Sequence, residues 1–471
     1  MSKKRKGMRV ELEIESIGAE GVGIAKPNGK AHFVKYAVPG DTIIAEITRE
    51  KSKFAEARLI EVLKLGESRV EPPCGYFGVC GGCSWQSLAY AAQLEWKRKQ
   101  VGDSFERIAK IPVAELLPAM GSALEYGYRN KMEFSFSAQR WLTSDEIASG
   151  EDFNRDFALG LHVPGRFDKV LDLNYCLLHP ERANEILRSV RQKALELGLS
   201  AYHSREHTGF LRNLLIRSGS NYSEFMVALI AQSPRLPEED EFIEWLAGGF
   251  AEQFPEAKSI FLATNDTVSP VAVGYLKLLK GEEIIIEKIL GVDFQISPFS
   301  FFQTNSRQLD PFVGKIIEFS DLAPGETLWD LYCGAGSITL PASRAVSRAF
   351  GVELSESSIA DARLNAQRNS ITNAEFHRAD LHDKQMPELL RSLPAPDVVI
   401  IDPPRAGMHE NLTRTLLEAA PPRITYVSCN PATQARDCAI LAEKYDVGKV
   451  MPVDMFPQTH HVESIAQLFR K

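Results

Sequence analysis

The sequence predicts an α/β protein in three regions: a small OB-like β-barrel, an α+β middle, and a C-terminal Rossmann-like domain with a parallel sheet. Three observations carry this reading. Residues 8–65 break into short alternating runs punctuated by glycine and Pro-Asn-Gly turns. Residues 125–290 mix strand-like runs such as "KMEFSFS" and "EFMVALIAQ" with an amphipathic helix near 180–197. From about 291 apolar strands alternate with helices, as in "ETLWDLYCGAGSITLPASRA" and "PDVVIIDPPRAG", a pattern that builds a parallel sheet covered on both faces.

In the first region "MRVELEIESI" alternates, "GAEGVGIAKPNGKAHFV" turns twice, and "DTIIAEIT" and "FAEARLIEVL" follow. Closely spaced short strands of this kind suit a barrel that binds oligonucleotides, although strand patterning does not identify a ligand. The domains are set at 1–66, 67–290 and 291–471.

With 471 residues, 25% of them charged and 44% hydrophobic, the chain exceeds one ordinary core and is too apolar to be disordered. The basic start "MSKKRKGMRVELEIES" leads into acidic alternation, and no stretch has signal-peptide or membrane-span length. A cytoplasmic monomer with no membrane partner is expected. The net charge of −8 is uneven, because residues 1–65 hold 13 Lys and Arg against 9 Asp and Glu. Attraction to phosphate would therefore come from local patches. The "KKRK" run alone reads as a solvated tail.

Between barrel and middle, "SLAYAAQLEWKRKQVGDSFERIAKI" places Leu88, Ala92, Val101, Phe105 and Ile108 on one face of a helix or broken helix. Just before it stands "PPCGYFGVCGGCSW", with Cys74, Cys80 and Cys83 close together and Cys176 available as a fourth ligand. Seven cysteines in a cytosolic chain point away from a disulfide framework. Four thiolates can hold zinc or an iron-sulfur cluster, and the spacing does not choose between them.

In the last region "DLYCGAGS" ends a strand in a Gly-x-Gly turn, where a ligand can approach the backbone and meet the amides of the next helix. Thr339 stands where a dinucleotide fingerprint has its third glycine. Glu353 ends the next strand, suited to ribose hydroxyls, and Asp380 ends the one after, within reach of an adenine amino group. One acid per strand end suggests S-adenosylmethionine at least as much as a dinucleotide. Asp402 ends "VVIIDPPRAG", and Arg405 there replaces the aromatic residue that amino-methylating enzymes stack on a flipped base.

"TYVSCNPATQARDCAILAEK" places Cys429 before an Asn430 N-cap and a Pro431 first helical residue. Helix-terminal amides are expected to lower its thiol pKa and make it a nucleophile. Cys333 and Cys438 read as small buried hydrophobes. A thiolate beside a sulfonium methyl donor suits carbon-5 methylation of uracil: addition to carbon 6 makes carbon 5 enolate-like and able to take the methyl group. A base must then remove the carbon-5 proton, and Glu463 in "FPQTHHVESIAQLF" is the candidate.

With "YRNKMEFSF", "FLRNLLIRSG", "FFQTNS", "GVELSESSIADARLNAQRN" and "PQTHHVES", these motifs resemble the RNA (uracil-5-)-methyltransferases of the iron-sulfur type that act on 23S ribosomal RNA and begin with a TRAM domain. The resemblance spans nearly the whole chain. It implies a class I methyltransferase domain, Cys429 as nucleophile and Glu463 as base. It implies that Cys74, Cys80, Cys83 and Cys176 bind a [4Fe-4S] cluster, and that Gln303, Tyr332, Ser337, Glu353, Asp380 and Asp402 surround S-adenosylmethionine. Arg129, Lys131 and Arg212 are candidate RNA contacts. The substrate is expected to be a single-stranded or loop uridine, since a stacked base must first be extruded. Three rivals are a transfer RNA target, RNA cytosine-5 methylation (disfavoured because "DPPR" lacks a cysteine), and an inactive RNA-binding protein.

Overall fold

The computed structural model describes residues 7–219, 223–269, 271–383 and 386–471. The basic run at residues 3–6 lies outside them. The chain divides into two compact units, one formed by residues 1–78, 83–123 and 311–471 and the other by 79–82 and 124–310. No helix among the described residues is long and apolar enough to cross a membrane.

The first unit begins with a six-stranded sheet in the order Arg9–Glu13, Thr42–Glu50, Phe54–Lys64, Ala31–Val34, Gly23–Ala25, Ser16–Ile17. Alternate residues of Thr42–Glu50 turn inward, so Ile43, Ala45 and Ile47 meet Leu12, Val34 and Ala55 in a dry core. Buried Asp41 closes this domain. It accepts the amides of Val38 (2.7 Å) and Gly66 (2.9 Å) and pairs with Arg69 at 2.8 Å.

The helix expected after the cysteine segment runs Tyr90–Ser104 and continues in a π-helical turn, Phe105–Ala109. Val101 and Phe105 are buried as expected, but Ile108 is exposed and Ala109 buried in its place. The wider turn adds a residue and shifts the apolar face by one position. Gln93 and Lys97 are also buried on this helix, which the sequence pattern does not suggest.

The same unit holds an eight-stranded sheet in the order Ala374–Arg378, Arg348–Glu353, Thr327–Leu331, Val398–Ile401, Arg423–Ser428, Glu463–Arg470, Tyr445–Val453, Val113–Leu116. The first five strands are parallel, and Glu463–Arg470 runs antiparallel between Arg423–Ser428 and Tyr445–Val453. Strand Val113–Leu116, from the region first assigned to the middle domain, completes the far edge in parallel with Tyr445–Val453. Chain order reverses between Thr327–Leu331 and Val398–Ile401, and ligands of such sheets bind beyond the carboxyl ends at that reversal.

The second unit is the expected α+β region. Its mixed eight-stranded sheet includes Lys131–Ser137, Leu211–Ser218 and Phe225–Ala231, and the last two are buried along their whole length. Helix Glu181–Glu196 falls where the amphipathic pattern places it.

Candidate active site

Strand Thr327–Leu331 delivers Asp330, Tyr332 and the glycine turn to the reversal point. Asp330 is fully buried. Thr339, the residue in place of a third glycine, donates its hydroxyl to the Asp330 carboxylate at 2.5 Å. The other carboxylate oxygen has no hydrogen-bond partner among the described residues. Burial, with Asp402 and Glu353 nearby, pushes Asp330 up to about 7. Sequence reading passed over this acid.

Tyr332 takes a left-handed backbone conformation (φ 67°), and its hydroxyl, held protonated by burial, has no hydrogen-bond partner among the described residues. Gly334 is also left-handed (φ 53°), and a Cβ there would meet nothing within 4 Å, so open space lies over the turn. Its amide donates to Glu353 at 3.3 Å, and the amide of Ser355 donates to the other Glu353 oxygen at 2.8 Å. The carboxylate is thereby fixed with lone pairs to spare. Ser337 lies half-buried in the same turn. Exposed Asp380 accepts the amide of His382 at 2.8 Å. Gln303 belongs to the second unit, where its carbonyl accepts from Asn130 at 2.9 Å.

Strands Arg423–Ser428 and Glu463–Arg470 pair until Ser428 meets Ser464, and Cys429 and Glu463 are the next residues past that rung. Asn430 caps the helix Pro431–Leu441 through the amide of Ala432 (3.1 Å), and its side-chain amide donates to the carbonyl of Arg405 at 3.1 Å. Asp437 accepts from Tyr426 (2.6 Å) and from the amide of Met408 (2.8 Å). The Asp402–Met408 loop and the cysteine loop are thus bound to one helix.

The electrostatics correct one expectation. Cys429 sits at the helix mouth, yet burial first, then the charges of Glu463 and Asp402, push its thiol up to about 11. Arg405 offsets this only in part. Desolvation and two carboxylates outweigh the helix dipole, whose effect fades within a turn. Glu463, 5% exposed, is pushed up to about 8 by burial and by Asp402, and Asp402 to about 6 by burial. Burial thus pushes both Cys429 and Glu463 toward their neutral forms. Arg405, read from sequence only as a missing aromatic, is the cation facing both.

The loop leading into Glu463 is held from the helix Tyr90–Ser104. Lys97 and Asp454 form a fully buried ion pair at 2.5 Å, and Gln93 donates to Gln458 at 3.0 Å. Trp85 donates its indole N–H to the carbonyl of Gly21 at 3.0 Å, and a Cβ on Gly21 would lie 2.6 Å from that of His460. The N-terminal domain therefore packs against the loop that leads into Glu463.

Residues 291–471 match the tRNA (Uracil-5-)-methyltransferase family model, and residues 3–60 match the TRAM domain. An uncharacterized RNA methyltransferase of Bacteroides thetaiotaomicron is 42% identical over 96% of this chain and 99% of its own length. The chain belongs to the RNA (uracil-5-)-methyltransferase family. A relative from Chlorobaculum tepidum, also an uncharacterized RNA methyltransferase, is 40% identical over 91% of this chain and 89% of its own. The crystal structure of Pyrococcus abyssi tRNA (uracil-54, C5)-methyltransferase with S-adenosyl-L-homocysteine aligns at a TM-score of 0.76 and 29% identity, covering 98% of this chain and 100% of that one. This uracil-5-methyltransferase therefore uses S-adenosylmethionine and acts on RNA. The open turn, anchored Glu353 and unpartnered Asp330 oxygen are a cradle that fits that donor.

No cysteine among the described residues is in a disulfide. Cys74 and Cys83 belong to the first unit, Cys80 and Cys176 to the second. The Cys80 sulfur accepts the amide of Gly82 at 3.4 Å, the kind of bond cluster thiolates receive. Burial pushes the Cys74 thiol up. Among the described residues no three His, Cys, Asp or Glu side chains form a metal-binding group. Of the RNA candidates, Lys131 lies opposite buried Arg217 in the sheet, with Arg129 nearby, and burial and these cations lower its pKa. Arg212 is buried and donates to the carbonyls of Asn265 (2.8 Å) and Thr267 (2.6 Å), so its guanidinium is committed to holding a loop.

Proposed function

We propose that the enzyme methylates carbon 5 of one uridine in 23S ribosomal RNA, with Cys429 as nucleophile and Glu463 as base. The observation that carries this reading is their juxtaposition past the Ser428–Ser464 rung, beside Asp402 and Arg405. The Cys429 sulfur adds to carbon 6, and carbon 5 attacks the methyl group. Glu463 then takes the carbon-5 proton as the carbon–sulfur bond breaks. Bound S-adenosylmethionine supplies an electrophilic methyl group on a cationic sulfonium, whose charge favours the thiolate. Tyr332, Ser337, Glu353, Asp380 and Asp402, with Gln303, are assigned to that donor.

Arg129 and Lys131 are assigned to RNA phosphates. Like charges facing across a sheet destabilise it, and an anion relieves the strain. The protein is taken to work as a cytoplasmic monomer, with regions 1–66, 67–290 and 291–471 in distinct roles. Cys74, Cys80, Cys83 and Cys176 are assigned to a [4Fe-4S] cluster with a structural or RNA-positioning role. Iron and sulfide analysis of anaerobically purified protein tests this, and zinc in their place would overturn it. RNA bearing 5-fluorouridine should form a stable adduct through Cys429. Mapping 5-methyluridine in cells with and without the gene decides the target. A missing mark in transfer RNA instead of 23S RNA would favour the second reading, which the likeness to the Pyrococcus tRNA (uracil-54, C5)-methyltransferase supports.

A further inference from the structure

A cavity of about 580 Å³ opens in the second unit where strands Lys131–Ser137 and Leu211–Ser218 lie side by side. Its floor is polar. The Asn213 amide donates to the Ser135 hydroxyl at 3.3 Å, and a His162 ring nitrogen lies 3.1 Å from the same oxygen. One wall is the buried ring of Tyr202, with the Arg212 guanidinium 4.3 Å from its centroid. Beside it the Ser204 hydroxyl is buried with no partner among the described residues. At the rim stands Phe167, 73% exposed.

These features fit one chemistry. Two aromatic faces and a set of unsaturated hydrogen-bonding groups suit a flat ring with a polar edge. No Asp or Glu lines the cavity among the described residues, although the chain as a whole carries a net charge of −8. Beside Phe167, Asp168 pairs with both Arg205 (2.6 Å) and Arg166 (3.6 Å). An exposed aromatic side chain with arginines beside it is how proteins grip single-stranded nucleic acid, by stacking a base and tracking its phosphate.

We propose that this cavity receives one unstacked base of the RNA substrate, its ring against Phe167 and Tyr202 and its edge on Asn213, Ser135 and Ser204. This is a second base site, in the unit that does not carry Cys429. It rests on the reading that the chain binds RNA, and the test keeps the two apart. Binding of a fluorescein-labelled single-stranded RNA of random sequence, about 20 nucleotides long, is followed by anisotropy on the full-length protein.

Phe167→Ala should weaken binding about tenfold at fixed salt, the scale of one stacked base. Phe167→Trp should restore it. Because no phosphate contact is lost, the dependence of affinity on salt should keep its slope in both variants. Wild-type affinity in Phe167→Ala, or a loss accompanied by a changed salt slope, would overturn the site while leaving RNA binding intact. Failure of the unaltered protein to bind would remove both. Phe167 is exposed, so its replacement does not threaten folding.

Discussion

Cys429 and Glu463 stand together past the last rung of two antiparallel strands, and the carboxylate of Glu463 raises the thiol's hold on its proton. The two groups are thus not independent. Cys429→Ala is expected to abolish methylation, by at least about 10³-fold in turnover, as loss of a covalent nucleophile does. Gel analysis with 5-fluorouridine RNA should show an adduct with the native enzyme and none with the variant.

Glu463→Gln is expected to slow turnover by about 10² to 10⁴, the usual contribution of a general base, while a covalent RNA adduct accumulates. Removing the negative charge should also lower the thiol pKa from its position near 11. The pH profile of Cys429 alkylation by iodoacetamide reads this directly. A profile that stays put would mean the two groups do not sense each other.

Asp330 is raised in the folded chain from 3.8 to about 7. The folded state holds that proton more tightly than the unfolded chain, so the associated stability is complete below about pH 4 and is lost as pH rises through 7. Asp330→Asn should therefore show a smaller fall in Tm between pH 5 and pH 8 than the native protein, measured by calorimetry. Asp402 and Glu463 slope the same way and will leave part of the fall in place.

Lys97→Met leaves Asp454 as a lone carboxylate in the core, which should cost about 3–5 kcal/mol in urea unfolding. Adding Asp454→Leu should recover most of that loss, because a dry apolar pair needs no compensation. Activity should not recover in parallel, since Asp454 also accepts the amide of Phe456 at 2.9 Å in the loop that leads to Glu463.

Much of this was legible in the residues. The strand-end acids, the Gly-x-Gly turn and the Asn430 cap are local features with local causes, and the structure has them where periodicity puts them. What escaped depends on neighbours far along the chain. Lys97 sits in "LEWKRKQ", which reads as a solvated face, and only the arrival of Asp454 makes it a core residue. Thr339 looked like a broken fingerprint until Asp330 appeared beneath it. The thiol pKa was misjudged for the same reason: the helix mouth is visible in sequence, whereas the two carboxylates come from other strands.

Strand Val113–Leu116 forms the outer edge of the catalytic sheet although it precedes the nearest of the other strands in that sheet by some two hundred residues. A gene cut at residue 291 to liberate the methyltransferase half would leave Tyr445–Val453 as a bare border open to strangers, with the Asp454 anion stranded behind it. The working part of this molecule cannot be excised by reading where a family match begins.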